Sequence, residues 1–290
     1  MKIVIVGGTG YTGSKLFQHL QPNHEVDTVD LEWFGNFVNP NNIKQDFQTL
    51  TSDFWKKYDA IVLLAGHSSV PMCLNRMTES FENNVVKFVD LLSKTDSKII
   101  YASSSSVYGN TMGQPAPETW DRFFPSNYYD LTKKVIDLYA QVHKGKTYGL
   151  RMGTLAGASP NLRVDIMINK MYHAAKTEGK ITIFNPEIYR PILGINDFCR
   201  AVTCLIEYDA EPGAYNLASF NANVHEISKS VADVIGNVEI INTGSSPTYD
   251  FSIDTTKFQN AFNFHFEETV LSIVNSLNET YHQSNKGIRI

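Results

Sequence analysis

KIVIV, residues 2–6, runs directly into GGTGYTG, residues 7–13. The first stretch is β-branched and continuously apolar, a pattern typical of a strand buried on both faces of a parallel sheet. The second has glycine at every third position, and helical periodicity follows over residues 11–20. Residues without a Cβ atom allow a tight turn and a close approach of the backbone to a phosphate at the helix N-terminus. The two stretches therefore predict a strand, a phosphate-binding loop and a helix in succession.

The strand pattern recurs along the first half of the chain. Four more short apolar runs cover residues 25–29, 60–64, 98–102 and 147–151. Stretches with helical periodicity lie between them, notably residues 78–93 and 127–143. Because strands that alternate with helices form βαβ units, we predict an α/β protein with a doubly wound, Rossmann-like parallel sheet.

Asp30 ends the second predicted strand, about 20 residues after Gly10. An acidic side chain at this place accepts hydrogen bonds from the ribose hydroxyls of NAD and repels the 2′-phosphate of NADP. The residues that follow, Leu31, Glu32 and Trp33, include no arginine that could bind this phosphate. The pattern predicts NAD as the cofactor, and a phosphate-free turn beside a solvated aspartate is the alternative.

The alternation of strands and helices loosens after about residue 152. Helices are predicted over residues 165–177, over 196–207 and from 267 to about 281, and a strand over 180–184. We interpret residues 1–154 as an NAD-binding domain, to which the chain returns around residues 191–217, and residues 155–290 as mainly a substrate-binding lobe. No repeat or long linker separates the two parts, so we expect the ligand site in the crevice between them.

Composition excludes several classes of partner. The 290 residues carry a formal net charge of −5, without the basic excess that a nucleic-acid-binding protein needs. Apolar runs fall short of the roughly 18 residues that span a bilayer, and the first residues do not read as a signal peptide, so we expect a cytoplasmic protein. Three cysteines without CxxC spacing and scattered histidines predict neither a disulfide framework nor a metal site.

Tyr129 and Lys133 are four residues apart in a stretch with helical periodicity, so both project from one helix face. A phenol with an ordinary pKa of about 10 is a poor base at neutral pH, and a neighbouring ammonium lowers this pKa. The pair predicts a general base and its electrostatic partner, with two surface residues of an amphipathic helix as the alternative. The hydroxyl-rich residues 103–106 favour the first interpretation because they end a predicted strand, where open α/β sheets bind ligands.

Taken in order along the chain, these motifs resemble the extended short-chain dehydrogenase/reductases, and among them the NAD-dependent epimerase/dehydratase family that acts on nucleotide sugars. The resemblance covers nearly the whole chain. The motifs that carry it are Gly7-x-x-Gly10-x-x-Gly13, Asp30, Asp46, Leu64-Ala65-Gly66, Asn84, Ser103-Ser104-x-x-Val107-Tyr108-Gly109, Pro125, Tyr129, Lys133, Arg151-x-x-Thr154-x-x-Gly157, Arg190-Pro191, Asn196-Asp197 and Asp254-x-x-Lys257. The resemblance implies a Rossmann-like domain with a smaller C-terminal α/β substrate lobe.

The resemblance also implies residue roles. Ser104 would hydrogen-bond the reacting oxygen, Tyr129 would exchange its proton, and Lys133 would hold the nicotinamide ribose and lower the pKa of Tyr129. The implied NAD-binding residues are Gly7, Thr9, Gly10, Tyr11, Gly13, Asp30, Asp46, Leu64, Ala65, Gly66 and Lys133, with Asp46 after the third strand and beside the adenine. The substrate-binding candidates are Asn84, Ser105, Thr154, Arg163 and Arg190.

The sequence departs from the family pattern at three places. Dehydratases of the family usually have an Asp-Glu pair directly after the catalytic hydroxyl, where this chain has Ser105-Ser106, so dehydration is disfavoured. Thr154 stands where asparagine is common. Residues 243–251 contain no arginine to clamp a substrate diphosphate, which leaves a substrate without a nucleotide open. For Arg163 and Arg190, interdomain salt bridges are the alternative to anion binding.

Members of the family commonly pair two helices of each subunit, so the resemblance implies a homodimer. The predicted helices over residues 78–93 and 127–143 carry apolar residues beyond one sheet-facing stripe, namely Phe81, Val85, Phe88, Val135 and Leu138.

Three functional hypotheses follow. The first is an NAD-dependent sugar-nucleotide epimerase that oxidises a hydroxyl transiently and re-reduces it. The second is an NAD(P)-dependent oxidoreductase with net reduction or oxidation of a nucleotide sugar or another small carbonyl compound. The third, a non-catalytic dinucleotide sensor, is disfavoured because Ser104, Tyr129 and Lys133 are all present.

Overall fold

A six-stranded parallel sheet forms the centre of the computed structural model, which describes residues 1–122 and 125–280. The strands are β1 Lys2–Val6, β2 Glu25–Val29, β3 Ala60–Leu63, β4 Lys98–Ser104, β5 Pro115–Ala116, β6 Thr147–Met152, β7 Thr154–Ala156, β8 Lys180–Ile183, β9 Tyr189–Gly194, β10 Gly213–Leu217, β11 Phe220–Asn223, β12 Glu239–Asn242 and β13 Ser252–Ile253. The central sheet has the order β2-β1-β3-β4-β6-β10. The predicted doubly wound α/β fold is confirmed.

Helices cover both faces of this sheet and build most of the C-terminal part. They are α1 Tyr11–Leu20, α2 Ser52–Trp55, α3 Val70–Asn75, α4 Met77–Phe81, α5 Lys87–Lys94, α6 Tyr128–Val142, α7 Met167–Glu178, α8 Ile195–Glu207, α9 Val224–Ile235, α10 Thr256–Phe262 and α11 Val270–Thr280. Among the described residues, none of these helices is long and apolar enough to cross a membrane. The last predicted helix was expected to reach residue 281, which lies outside the described residues.

The predicted strands of the first half agree with the structure to within a few residues, and α1 has the predicted bounds. The helix predicted over residues 78–93 is different, because a π-helical turn, Glu82–Val86, separates α4 from α5. This turn buries Val85, and α5 buries Phe88, both in the core beneath the sheet. These two side chains were predicted to extend the apolar surface outside the core, and that prediction is wrong.

The chain crosses back to the central sheet in its second half. Strand β10 pairs in parallel with β6, and the buried face of α8 packs in the same core as β1 and α1. Strand β9 instead pairs with β7 and β11 in a separate three-stranded sheet. A second core beside this sheet is formed largely by α7, α9 and α11. The second core and its elements make up the C-terminal lobe.

The lobe is hydrogen-bonded directly to the glycine-rich loop of the first domain. The Tyr11 hydroxyl donates to Gly157 O at 2.8 Å, and the Ser159 hydroxyl donates to Tyr11 O at 2.6 Å. The Asn161 side-chain amide donates to Thr9 O at 2.8 Å. The residues between β7 and α7 therefore hold the loop in place from the lobe side.

Candidate active site

A cavity of about 530 Å³ lies at the carboxyl ends of β1, β3, β4 and β6, between the central sheet and the lobe. The direction of chain connection reverses between β1 and β3, which is where open α/β sheets bind ligands. Most of the predicted site residues line this cavity, namely Gly7, Thr9, Gly10, Tyr11, Gly13, Asp30, Asp46, Leu64, Ala65, Gly66, Ser104, Ser105, Tyr129, Lys133, Thr154 and Arg163.

The three loop glycines that recur at every third position meet different constraints. A Cβ atom on Gly7 would lie 2.6 Å from Ala65 N, and one on Gly13 would lie 2.0 Å from Gly7 O, so backbone packing alone excludes side chains there. A Cβ atom on Gly10 would meet nothing closer than Gly7 O at 3.4 Å. Glycine at this position is therefore not required by the chain's own packing, and it leaves a smooth surface that faces the cavity.

Helix α1 begins at this surface, and the backbone N–H groups of its first turn have no side-chain cap. Its N-cap residue, Gly10, provides no side-chain cap, and the first turn contains no acidic residue. The backbone N–H groups of the first turn and the positive end of the helix dipole are thus available to a phosphate. Together with the glycine surface, this arrangement fits the pyrophosphate of a dinucleotide.

The Asp30 carboxylate is held at the edge of the cavity by two backbone groups. Its Oδ2 accepts a hydrogen bond from Thr9 N–H at 3.1 Å, and its Oδ1 accepts one from Glu32 N–H at 2.7 Å. Glu32 in turn pairs with Lys44 at 3.0 Å. The carboxylate is therefore oriented toward the place where an adenosine ribose would lie, and it keeps lone pairs for two hydroxyls.

Asp46 lies near the same end of the cavity but is already engaged. It caps the 3₁₀ turn Phe47–Thr49 and forms an ion pair with Lys87 at 2.6 Å. The resemblance implies a third strand before Asp46, but in the structure the third strand, β3, follows Asp46, and before this residue a single bridge joins Val29 to Ile43. Segment 40–45 is too polar to add a full strand to the sheet edge.

Ser104, Tyr129 and Lys133 come together where β4 ends and α6 begins. Strand β4 carries Ser104 at its last position, and α6 places Tyr129 and Lys133 one turn apart on the face toward the cavity. The Lys133 ammonium is buried and donates to Ala102 O at 2.6 Å, with Nζ 5.8 Å from the centre of the Tyr129 ring. The predicted catalytic group is thus assembled by one strand and one helix.

The electrostatics of this group differ from the expectation. Burial raises the pKa of the Tyr129 phenol to about 12, although the Ser104 hydroxyl acts to lower this pKa. Burial also lowers the pKa of Lys133 to about 8. The protein's own side chains therefore do not lower the pKa of Tyr129, because desolvation outweighs the favourable contacts.

Two further residues near the group were not predicted. The Asp130 carboxyl is buried and accepts hydrogen bonds from the Ser106 hydroxyl at 2.5 Å and from the Asn127 amide at 2.6 Å. The Ser106 hydroxyl is also 2.8 Å from the Ser104 hydroxyl. No sequence signal pointed to this contact, since an acidic residue in the first turn of a helix is stabilised there without a side-chain partner.

Two of the predicted substrate ligands do not line the cavity. The Asn84 side chain accepts from His67 N–H at 2.8 Å and donates to His67 O and to the Thr132 hydroxyl, both at 3.1 Å. Its hydrogen bonds thus fix the loop after β3 against α6. Arg190 donates to the carbonyl groups of Tyr189 and Tyr249 and stacks on Phe251 at 5.1 Å.

Arg163 does line the cavity and is held by an acidic neighbour. Its guanidinium forms a bidentate ion pair with Asp165, from Nε at 2.7 Å and from Nη2 at 2.9 Å. Its Nη1 donates to the Ser68 hydroxyl at 3.3 Å. Besides Tyr11 and Tyr129, the cavity wall contains aromatic residues that sequence reasoning missed, namely Trp33, Phe34, Phe47, Tyr249 and Phe251. Within residues 1–122 and 125–280, no group of His, Cys, Asp and Glu side chains is arranged to hold a metal ion.

Residues 3–218 match the sequence profile described as the NAD dependent epimerase/dehydratase family. The chain belongs to this family. The matched range contains the glycine-rich loop, Asp30, Ser104, Tyr129 and Lys133, so the profile spans the candidate cofactor-binding and catalytic residues. The resemblance stated from the motifs is confirmed.

Individual relatives are distant. Protein CapI of Staphylococcus aureus is 26% identical over 239 residues, which cover 73% of this chain and 71% of the relative. UDP-glucose 4-epimerase of Lactobacillus helveticus is 26% identical over 212 residues, which cover 64% of each chain. About a third of the Lactobacillus helveticus sequence is therefore not covered by the match.

Solved structures show the same fold over most of the chain. UDP-N-acetylglucosamine 4-epimerase from Methanobrevibacter ruminantium M1, in complex with UDP-N-acetylmuramic acid, superimposes with a TM-score of 0.85 at 21% identity and covers 96% of this chain and 98% of its own. UDP-glucose 4-epimerase of Thermus thermophilus, in complex with NAD, gives a TM-score of 0.80 at 19% identity, with coverages of 96% and 99%. At these identities the superpositions establish the fold alone.

Proposed function

We propose that the protein is an NAD-dependent epimerase of a nucleotide sugar, which oxidises one sugar hydroxyl to a ketone and returns the hydride to the opposite face. The observation that carries the proposal is the position of Ser104, Tyr129 and Lys133 in the cavity that also contains the glycine-rich loop and Asp30. A non-catalytic sensor would need only the last two features.

The residues that line the cavity would bind the cofactor and move the proton of the sugar hydroxyl. NAD, when bound, accepts the hydride and gives it back. Gly10, the first turn of α1 and Asp30 would hold its pyrophosphate and adenosine ribose, and Lys133 its second ribose. Tyr129 would exchange a proton with the sugar oxygen, and Ser104 would hydrogen-bond that oxygen while charge develops, a contribution worth about 3 kcal/mol in comparable enzymes.

Two features support a nucleotide sugar as the substrate. Several family relatives are named for UDP-sugars, among them the epimerases of Lactobacillus helveticus and Methanobrevibacter ruminantium M1. Arg163 places a cation at the lobe side of the cavity, where its contact with Asp165 keeps the guanidinium fixed. Arg190 would support this end indirectly, because it holds the backbone of Tyr249 and the ring of Phe251 at the cavity wall.

The substrate and the reaction are tested together by incubation with UDP-, GDP- and dTDP-hexoses, followed by NMR of the sugar and absorbance of NADH. An inverted stereocentre without net NADH supports the epimerase. Stoichiometric NADH would instead support the oxidoreductase with net turnover of its cofactor. NAD released when the purified protein is denatured would further support the epimerase, since an enzyme that returns its hydride has no need to exchange the cofactor. We place this activity in the cytoplasm, as predicted from the sequence.

We expect NAD to bind at least tenfold more tightly than NADP. The Asp30 carboxylate would face the 2′-phosphate of NADP, and like charges about 4 Å apart near a protein surface cost up to about 4 kcal/mol, more than the roughly 1.4 kcal/mol of a tenfold ratio. Fluorescence titration of both cofactors measures the ratio, and Asp30→Ala should reduce it. Asp53→Ala, which removes an exposed carboxylate on α2, should leave the ratio unchanged. Equal affinities of the unaltered protein for the two cofactors would contradict the prediction.

We propose that the protein is a homodimer formed through α3, α4 and α6. These helices pack side by side, and their outer faces expose large apolar side chains, namely Leu74, Met77, Phe81, Leu138 and Val142. The set differs from the predicted one, since Val85 and Phe88 are buried in the core. An apolar face of this kind is typical of an interface between copies.

Light scattering at micromolar concentration should therefore give twice the monomer mass. Leu138→Glu should reduce the mass to that of a monomer, because it places a charge in the centre of the apolar face. Leu271→Glu, an equally exposed position on α11, serves as the matched control and should remain dimeric. A monomeric mass for the unaltered protein would reject the homodimer.

A further inference from the structure

Trp33 and His67 meet across the carboxyl end of β1. In the central sheet β1 lies between β2 and β3, and Val6 pairs with Val29 on one side and with Leu63 on the other. Trp33 and His67 are each four residues beyond these partners, and their ring centroids are 5.8 Å apart. Since neighbouring strands are about 4.8 Å apart, β2 and β3 are separated by about 10 Å. The two side chains therefore reach toward each other over the loop that follows β1.

This ring contact lies over the part of the cavity that fits a pyrophosphate. Gly10, four residues beyond Val6, is the N-cap of α1, and it lines the cavity together with Trp33. Ser68, the neighbour of His67, lines the cavity from the loop after β3. The two rings therefore close the cavity over the anion-binding start of α1.

The two halves of the ring contact are held with different firmness. His67 is 2% exposed, its Nδ1 lies 2.6 Å from the Ser80 hydroxyl, and its backbone N–H donates to the Asn84 side chain at 2.8 Å. Trp33 is 55% exposed, and the part of the chain that the structure describes offers its indole no hydrogen-bond partner. His67 is therefore a fixed rim, and the Trp33 side chain is the half that can turn away.

Trp33 is carried at the tip of a braced turn. The Gly35 N–H group donates to Glu32 O at 3.0 Å, which places Trp33 and Phe34 at the two central positions of the turn. The Glu32 carboxylate accepts hydrogen bonds from two asparagine amides and pairs with Lys44. Because the backbone of the turn is fixed in this way, rotation of the Trp33 side chain is enough to open the ring contact.

The C-terminal lobe closes the cavity beside the two rings. The Asn161 amide donates to Phe34 O at 3.2 Å and to Thr9 O at 2.8 Å. Arg163 Nη1 donates to the Ser68 hydroxyl at 3.3 Å. The lobe thus contacts the loops after β1, β2 and β3. A dinucleotide on the glycine-rich loop would be enclosed by these contacts and by the ring pair.

We propose that Trp33 and His67 form a cover that retains NAD in the cavity, and that the Trp33 indole turns aside when the cofactor enters or leaves. The proposal rests on the proposed function, since slow release suits an enzyme that returns its hydride. An oxidoreductase that exchanges its nicotinamide at every turnover would be limited by such a cover. Trp33 is thus a cofactor-retaining residue, distinct from the groups that carry out the chemistry.

The first test measures cofactor exchange and needs no sugar. Protein loaded with NADH is mixed with excess NAD, and the loss of the fluorescence of bound NADH gives the release rate. Mixing NADH with cofactor-free protein gives the association rate. Trp33→Ala should raise both rates about tenfold, the factor that corresponds to an aromatic contact of roughly 1.4 kcal/mol, because the cover has to open in both directions.

Two outcomes of this measurement would overturn the proposal. One is a release rate that Trp33→Ala leaves unchanged. The other is faster release at an unchanged association rate, which is the behaviour of a residue that only contacts the bound cofactor. Trp33→Phe keeps an aromatic ring at the tip of the turn and should restore most of the slow exchange.

The second test asks whether Trp33 and His67 act as one unit. His67→Ala should also raise both rates, and the double variant should exchange NADH no faster than Trp33→Ala, because either change alone removes the ring contact. Effects that multiply in the double variant would reject the pair. If His67→Ala fails to fold, the comparison of Trp33→Ala with Trp33→Phe carries the test.

Phe37→Ala is the matched control. Phe37 is an exposed aromatic residue of the same segment, but its ring packs against Gly35 and it does not line the cavity. Both exchange rates of this variant should stay within about twofold of those of the unaltered protein.

The cover and the proposed reaction can fail separately. Exchange that depends on Trp33, in a protein that converts no nucleotide sugar, would count against the epimerase and leave the cover in place. An active epimerase whose exchange does not depend on Trp33 would reject the cover alone. An unaltered protein that binds no NADH would overturn the cover together with the assignment of the cofactor.

Discussion

Replacement of Tyr129 by phenylalanine should lower kcat about a thousandfold while the affinity for NAD stays within about twofold. The change removes one oxygen atom, and that atom is the group proposed to exchange a proton with the sugar hydroxyl. Neither the glycine-rich loop nor Asp30 contacts it, so the cofactor-binding residues keep their positions. The ring remains on α6, and the fold should be unaffected.

Epimerisation followed by NMR and a fluorescence titration of NAD measure the two quantities. The neighbouring Tyr128 provides a matched control, because its side chain is exposed at the start of the same helix. Tyr128→Phe should keep full activity. Retention of more than about a tenth of the activity by Tyr129→Phe would reject the assignment of this phenol.

Lys133→Met should abolish activity and stabilise the fold. Activity should fall about a thousandfold, because the variant loses the cation beside the phenol and the donor proposed for the nicotinamide ribose. Burial lowers the pKa of Lys133 from the ordinary 10.5 to about 8, so the folded state holds a desolvated ammonium at neutral pH. Each pKa unit corresponds to about 1.4 kcal/mol, and the lost bond to Ala102 O offsets part of the gain, which leaves about 2 kcal/mol.

The dependence on pH identifies the cause of this gain. Between about 8 and 10.5 the unfolded chain holds the Lys133 proton and the folded protein has lost it, so this group makes the unaltered protein more stable as pH rises. Lys133→Met lacks this contribution, and the stability difference between the two proteins should shrink across the window. Urea unfolding at a series of pH values measures it. A variant less stable than the unaltered protein at neutral pH would contradict the prediction.

The central fold could be predicted from the sequence because its strongest signals are local. An apolar β-branched run before a glycine-rich turn fixes β1 and the start of α1, and the same strand pattern locates four more strands of the sheet. Asp30 and Ser104 could be placed near one cavity because the carboxyl ends of parallel strands meet at one edge of the sheet, and the four-residue spacing of Tyr129 and Lys133 placed both on one helix face.

The predictions that were wrong or missing concern side chains whose partners come from distant elements of the chain. Helical periodicity could not reveal the π-helical turn Glu82–Val86. This turn changes which side chains face the core, and Val85 is buried in it. Asn84 reads as a polar cavity residue, yet its partners, His67 and Thr132, are brought to it only by the tertiary fold. Asp130 escaped notice for the same reason, since its partner Ser106 lies 24 residues away.

The hydrogen bonds between the glycine-rich loop and residues Gly157, Ser159 and Asn161 bear on how such enzymes can be recombined. A chimera that keeps this first domain and takes its lobe from a relative would have to bring matching partners for Tyr11 and Thr9, because otherwise the buried Tyr11 hydroxyl would lose an acceptor at the joint. The two halves are therefore not interchangeable modules. A hybrid should keep the residues between β7 and α7 together with the first domain, so that the crossover falls at the start of α7.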